Sequence, residues 1–331
     1  MELLVMSGAG NDFVVLDARE QQLDFETLSK DLCKKLGTDG LLALDVSETA
    51  DFKLHFYNPD GSRGEMCGNG ARCICKYAFD KGLAGEAMTV ETDAGPVYGW
   101  RLGENRYKVQ LNNPGMVDLK CHPNAAYIEL GDPGIPHSVT ELKSLDWGVK
   151  ALLRPVFLEI REFPGFPKGV NVNLYRQLSN TSVRILTYER GVEDFTLACG
   201  TGSASVAVAL YLQGKLPGGR LTVENPGGTL EIALEGDGKS VTALYLEGPA
   251  EYRNYNHPVI LGVFCPILRI LFPEGSYERK GTVCAHSLGA ERPKAPGDSI
   301  RAYGKPHPQQ IAKRAFTDVG DDAHIVPFHR R

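Results

Sequence analysis

Two tetrapeptides in this 331-residue sequence carry the residue types for thiol chemistry, Cys67-Gly68-Asn69-Gly70 and Cys199-Gly200-Thr201-Gly202. Each precedes an apolar, small-residue stretch, residues 71–79 and 203–212, that reads as a buried helix starting at the glycines. A thiol in the first turn of a helix lies at the positive end of the helix dipole, which favours the thiolate. The glycines leave backbone N–H groups uncovered, so the same turn can hold an anion such as a carboxylate. A single Cys-Gly-x-Gly reads equally well as a tight turn before a helix. Two of them facing one another would place thiols on opposite sides of whatever binds between. A racemase requires that arrangement, because one base must take the α-proton from one face of a stereocentre while an acid of the same kind returns a proton to the other. Carboxylate binding by both helix starts would stabilise the carbanion-like charge, and no cofactor is then required.

The elements that position these cysteines are themselves written twice. The tetrapeptides lie 132 residues apart, and Thr89-Val90-Glu91-Thr92 recurs as Thr222-Val223-Glu224-Asn225 at nearly the same separation. That offset is too long for a solenoid repeat and predicts two related lobes. β-rich runs precede each cysteine, at 52–57 and 183–188. Each lobe is therefore expected to be a β-rich unit wrapped on one central helix, in an α+β class. Further strands are expected at 2–5, 13–16, 107–111, 126–130, 156–163, 171–176, 229–234 and 241–246, with helices at 27–36 and 142–145. The boundaries predicted are 1–118 for the first lobe and 119–251 for the second, the two divided near 115–123, with the last strand able to pair back onto the first lobe.

Residues 252–331 are a different kind of sequence. They hold 12 Lys or Arg against 7 Asp or Glu and five of the eight histidines, leaving the first 251 residues at −10. This Pro-rich, basic extension is not expected to pack as a domain. The whole chain, at −5 and without a long basic block, offers no nucleic-acid surface. The apolar stretch 258–272 is too short to span a membrane and no export signal is visible at the start, so a cytoplasmic location is expected. Eight cysteines in such a chain are not a disulfide framework. Cys67, Cys73 and Cys75 give C-x5-C-x-C, which lacks the paired knuckles of a zinc site, so no metal is expected. Cys73 and Cys75 read as core.

Further motifs carry a family resemblance. Ser7-Gly-Ala-Gly-Asn11-Asp12-Phe13, Gly37-Thr-Asp39-Gly40, Asn58-Pro-Asp60-Gly61-Ser62 ahead of Cys67-Gly-Asn-Gly-Ala-Arg72, then Asn171, Glu189-Arg190-Gly191 and Ala198-Cys199-Gly-Thr-Gly202 together resemble the diaminopimelate epimerases. The resemblance covers residues 1 to about 250. It implies two pseudo-twofold lobes, each a β-barrel-like sheet around a central helix, and pyridoxal-independent epimerisation of LL-diaminopimelate to the meso form in lysine and peptidoglycan precursor biosynthesis. It implies that Cys67 and Cys199 are the acid/base pair and that His137 lies beside them. Asn11, Asn58, Asn171 and Arg190 would hold the distal amino-acid group, and Glu189 the reacting amine. Gly68, Asn69, Gly200 and Thr201 would bind the reacting carboxylate through N–H groups. The partner is a small amino-acid substrate, and a homodimer is left open.

On the residues alone, Arg190 suits a carboxylate by its bidentate geometry but also reads as a surface ion pair with Glu189 or Glu193. Asn11 and Asn58 also read as turn caps. The family's Gly-Asn-Pro-His is here the longer Gly131-Asp-Pro-Gly-Ile135-Pro136-His137, with Ile135 in the Asn place. That change favours a second reading, a two-cysteine racemase of another amino acid such as histidine. Two further readings are a dithiol switch, which lacks the usual C-x-x-C, and a pair of binding lobes without catalysis.

Overall fold

The computed structural model describes residues 3–19, 21–64, 66–122, 124–166 and 168–253. The first lobe runs β1 (Leu3–Gly8), β2 (Asn11–Asp17), α1 (Phe25–Leu36), β3 (Gly40–Asp45), β4 (Phe52–Tyr57), β5 (Arg63–Gly64), α2 (Gly68–Asp80), β6 (Ala87–Thr92), β7 (Gly95–Gly103) and β8 (Arg106–Leu111). After β9 (Pro114–His122), the same order repeats: β10 (Ala125–Gly131), β11 (Gly134–Glu141), α3 (Lys150–Arg161), β12 (Asn171–Ser179), β13 (Ser182–Glu189), β14 (Asp194–Phe195), α4 (Gly200–Leu212), β15 (Arg220–Asn225), β16 (Gly228–Gly236) and β17 (Val241–Pro249). The short β18 (Glu251–Tyr252) closes the series.

The pairings repeat as well as the order. β1–β2 is antiparallel, β2–β3 parallel, β3–β4 antiparallel and β4–β6 parallel, and β10–β11, β11–β12, β12–β13 and β13–β15 follow the same alternation. The lobes are sewn together by β8, which pairs antiparallel with β17 from Leu111↔Leu244 to Arg106↔Pro249. They also exchange ends. β9, leaving the first lobe, pairs with β10, and β18, leaving the second, pairs with β1.

Sequence explains why the helices go where they do. Asp24 accepts from the Thr27 N–H to start α1 (3.2 Å), and Gly37 ends it in the left-handed region at φ 66°. Helix α4 has small or apolar residues all round, and every residue from Gly202 to Leu210 is buried, as expected of a helix enclosed by a sheet. In α2 the run from Asn69 to Ala78 is likewise buried. Strands around them alternate buried and half-buried positions, as in β4 and β15, so one sheet face packs on each helix. The resulting core is continuous through both lobes and includes Phe13, Phe52, Ile74, Tyr77, Val206, Val208, Leu244 and Leu246. Outside the sheets, α1 and α3 cover separate apolar clusters centred on Leu32 and Phe157.

Three expectations are corrected, and two strands went unread. Residues 156–163, whose Val, Phe and Ile content suggests a strand, lie mostly in α3, where Val156, Phe157 and Ile160 form one buried helical face. Residues 142–145 are not helical; a single 3-10 turn, Trp147–Val149, is started instead by the Asp146 carboxylate on the Gly148 N–H at 2.8 Å. The segment 115–123, read as a link, is largely strand β9, so the boundary at 118 falls inside an element. Strands β3 and β11 went unread because β3 is buried almost throughout and β11 over Pro136–Thr140, so neither shows the alternation of a half-buried strand. The Pro-rich extension from residue 254, with its apolar stretch 258–272, lies outside the described residues. Among those described, no helix is long and apolar enough to cross a membrane, and no cluster of three His, Cys, Asp or Glu could hold a metal ion.

Candidate active site

Cys67 and Cys199 are the N-cap residues of α2 and α4, both with extended backbone (φ −130°, ψ 119° and φ −112°, ψ 111°). The Cys199 sulfur accepts from the Gly202 N–H at 3.3 Å, with the Thr201 hydroxyl 3.6 Å away. A Cβ added at Gly68 or at Gly200 would lie 2.6 Å from the same atom, Cδ2 of Leu246. The two helix starts therefore converge on one methyl group, which is why neither position has room for a side chain.

Asn69 fastens this convergence. Its side-chain N–H groups donate to Asn11 Oδ1 (2.7 Å) in the first lobe and to the Ala198 carbonyl (3.2 Å), one residue before Cys199, in the second. Its Oδ1 accepts from Arg72 Nη2 at 2.9 Å. Asn69 thus has a structural role beyond offering its backbone, and Asn11 is one of its partners.

Glu189 ends β13 and is held by the Thr196 hydroxyl at 2.7 Å. Burial pushes its carboxyl up, and its charge disfavours ionisation of both thiols, so it lies within electrostatic reach of each. The expectation that the helix starts leave both thiols acidic is corrected here. Burial pushes Cys67 up despite the Gly70 and Asn69 N–H groups, and it pushes Cys199 well up, aided by Glu189. Cys73 and Cys75 are core, driven to about 12 by burial.

The remaining expected residues form a neighbouring group. His137 on β11 is fully buried, with Nδ1 3.2 Å from Asn173 Nδ2. Because an amide NH2 only donates, Nδ1 is the acceptor and the ring proton sits on Nε2, which has no partner among the described residues. Burial, then the Arg190 charge, pulls its pKa down to about 3, so His137 is neutral. Asn171, opposite His137 in the β11–β12 register, accepts from the Arg190 N–H (2.8 Å) and donates to the Pro136 carbonyl (3.2 Å). The Arg190 guanidinium donates to the Lys168 carbonyl (2.6 Å), while Glu193, its suggested ion-pair partner, is taken by Arg161. Asn58 caps a turn, donating to Ser62 Oγ at 3.0 Å, and among the described residues no hydrogen bond links it to either thiol. Ile135 is 40% exposed on the β10–β11 hairpin, opposite Leu130.

Three participants escaped sequence reasoning. Leu246 looks like any strand leucine. Arg72 sits in the quoted motif without a role of its own, and it is fully buried. Asn173 is also fully buried and bonds His137, the Ser138 carbonyl and the Thr187 hydroxyl; its only signal is the Asn171-x-Asn173 spacing, which puts both on one strand face.

Comparison with known proteins supplies the family. The family model described as diaminopimelate epimerase matches residues 3–114 and 132–253. The chain belongs to the diaminopimelate epimerase family. The diaminopimelate epimerase of Flavobacterium psychrophilum is 32% identical over 260 residues, covering 76% of this chain and 98% of that protein. That of Aquifex aeolicus is 35% identical over 234 residues, covering 65% and 82%. Among solved structures, a phenazine biosynthesis protein of the PhzF family from Bacillus anthracis superposes with TM-score 0.58 at 14% identity, covering 76% of this chain and 97% of its own. A hydroxyproline epimerase from Agrobacterium vitis gives 0.53 at 15%, covering 76% and 88%. At those identities the structural likeness speaks for the fold alone, the two-lobed fold of the diaminopimelate epimerases. As a member of that family, the chain is an isomerase. The family match ends at Arg253, where the described residues also end.

Proposed function

We propose that this isomerase converts LL-2,6-diaminopimelate to the meso form by passing an α-proton between Cys67 and Cys199. The observation that carries the reading is the placement of two thiols at equivalent helix starts of a duplicated fold, converging across Leu246 with Glu189 in reach of both. One cysteine, as thiolate, takes the α-proton. The other, as thiol, gives its proton to the opposite face. The N–H groups of Gly68, Asn69, Gly200 and Thr201, in the first turns of α2 and α4, can bind the reacting carboxylate and stabilise the charge that develops beside it. Glu189 is placed to hold the amine, and two thiols supply both acid and base without a carbonyl cofactor. Arg190, not neutralised by a carboxylate among the described residues, suits the distal carboxylate of a long substrate, oriented through Asn171. A product of this kind serves lysine and peptidoglycan precursor synthesis.

Ile135 favours the second reading, a racemase of another amino acid, because an apolar side chain there cannot supply the amide contact that the family resemblance implies. Deuterium uptake from D2O at the α-carbon over a panel of amino acids decides between them. Uptake and inversion restricted to diaminopimelate supports the first reading. Faster turnover of a different amino acid replaces it with the second.

A further inference from the structure

The duplication supplies an internal comparison for the residues that pack beneath each helix start. Across β11, β12 and β13 these are His137, Asn173 and Thr187, and strand register equates them with Phe13, Leu42 and Phe56 across β2, β3 and β4. Val139 opposes Asn173 as Val15 opposes Leu42, and Asn173 opposes Thr187 as Leu42 opposes Phe56. The glycines of the two helix starts agree with that match. A Cβ added at Gly70 would lie 3.0 Å from Leu42 Cδ2, and one added at the equivalent Gly202 would run into Asn173 Oδ1. All six side chains are buried. The first lobe fills this space with hydrocarbon, Phe13 and Phe56 meeting edge to face, whereas the second fills it with a hydrogen-bonded polar trio. Buried polar groups cost stability unless their bonds are made, and the first lobe shows that the fold does not need them here. The trio therefore points to chemistry.

Its bonds run in one direction. The Thr187 hydroxyl donates to Asn173 Oδ1 (3.0 Å), and Asn173 Nδ2 donates to the Ser138 carbonyl (2.9 Å), the Asn171 carbonyl (3.2 Å) and His137 Nδ1 (3.2 Å). Two backbone carbonyls can face only the NH2 end of an amide, which fixes its orientation. His137 Nδ1 must then keep its lone pair, so the ring is neutral and its one proton is on Nε2. On its other side, Asn173 Oδ1 lies against Gly202, whose N–H holds the Cys199 sulfur at 3.3 Å. One amide thus meets both the histidine and the first turn of α4.

Building on the two-thiol reading, we propose that Asn173 is a positioning residue of the Cys199 half-site, which locks His137 as the neutral Nε2–H tautomer. The Nε2–H is buried and has no partner among the described residues, so it is kept as a donor for the substrate while charge develops beside the α-carbon. Asn173 reaches the reaction only through the ring that it orients. The first half-site has no such device, because Phe13 and Leu42 offer neither a donor nor an acceptor.

The test is the tautomer of His137, read from its two ring nitrogens by NMR of the full-length protein carrying nitrogen-15 histidine, with His137→Gln assigning its signals among the eight histidines. The wild type should show a bare Nδ1 and a protonated Nε2. Asn173→Leu removes the donor and copies the first lobe's Leu42, so the proton should appear on Nδ1, and kcat for diaminopimelate should fall about tenfold or more with KM changed less. In a His137→Gln background the same substitution should cost little further kcat, because the ring through which it acts is gone. A proton on Nδ1 in the wild type, an unmoved proton in Asn173→Leu, or equal fold-losses of kcat in both backgrounds overturns the proposal. Should Asn173→Leu fail to fold, Asn173→Ala gives the same readouts, and the wild-type spectrum needs no variant. Deuterium exchange into diaminopimelate by the same preparation separates the two levels of the argument. Exchange by a wild type whose proton lies on Nδ1 removes only the role of Asn173, and the expected tautomer without exchange into any amino acid removes only the reaction.

Discussion

If the two helix starts meet across Leu246, substitutions at Gly68 and Gly200 should be coupled through that one side chain. A methyl added at Gly200 lies 2.6 Å from Leu246 Cδ2, more than an ångström inside ordinary carbon–carbon contact, and the same holds at Gly68. Leu246 is fully buried in β17, so the strain is not relieved by turning toward solvent. Overpacking of this kind costs about 1–3 kcal/mol, and Leu246→Ala alone, by opening a cavity, about 2–5 kcal/mol. In the double variants the added methyl enters the space that Leu246 vacates. Gly200→Ala with Leu246→Ala, and Gly68→Ala with Leu246→Ala, should therefore each be less destabilised than the sum of the single changes, by about 1–2 kcal/mol. Equilibrium urea unfolding of the five single and double variants beside the wild type measures this. Additivity within about 0.3–0.5 kcal/mol at both glycines would refute the shared contact, and coupling at only one would show that the starts do not converge.

Other consequences follow from single residues. Asn69→Ala removes the link across the lobes to Ala198, the bond to Asn11 and one acceptor of the Arg72 guanidinium, so a loss of about 1–3 kcal/mol with a fall in kcat is expected; stability unchanged in urea would show that these bonds carry nothing. His137 is held near pKa 3 in the folded chain against 6.5 when unfolded, so the unfolded state binds the extra proton and stability falls as pH drops through that window. The loss approaches roughly 4–5 kcal/mol at pH 3, and His137→Gln should flatten the urea midpoint profile between pH 6.5 and 3, whereas parallel profiles would contradict the assignment. A chain ending at Arg253 keeps β18 on β1 and the Arg253 contacts to Val5, Ser7 and Asp12, so it should fold and retain most activity. Insoluble product would place the following segment in the core.

The parts of the fold that local chemistry dictates were legible. Cys-Gly-x-Gly before a small apolar run marks a buried helix start, and finding it twice exposed the duplication. What escaped depended on contacts distant in sequence. Val156, Phe157 and Ile160 suit a strand by composition, and only their packing on β12 and β13 makes a helix the better solution. Arg72 is a motif residue whose burial follows from Pro249, 177 positions away. Thiol acidity could not be read from the helix starts alone, because the sequence shows the dipole but not how far burial offsets it. Asn58 and Glu189, both read as substrate ligands, differ in that the structure holds only Glu189 near the sulfurs.

The most direct test of two-thiol transfer is the fate of solvent deuterium during the first turnovers in D2O. With diaminopimelate as substrate, two bases on opposite faces predict product carrying one deuterium at the inverted α-carbon while recovered substrate stays protiated. Cys67→Ser and Cys199→Ser should each stop inversion. Deuterium entering recovered substrate as fast as product forms, or inversion near the wild-type rate in either serine variant, would mean that one group serves both faces, and the account would fail.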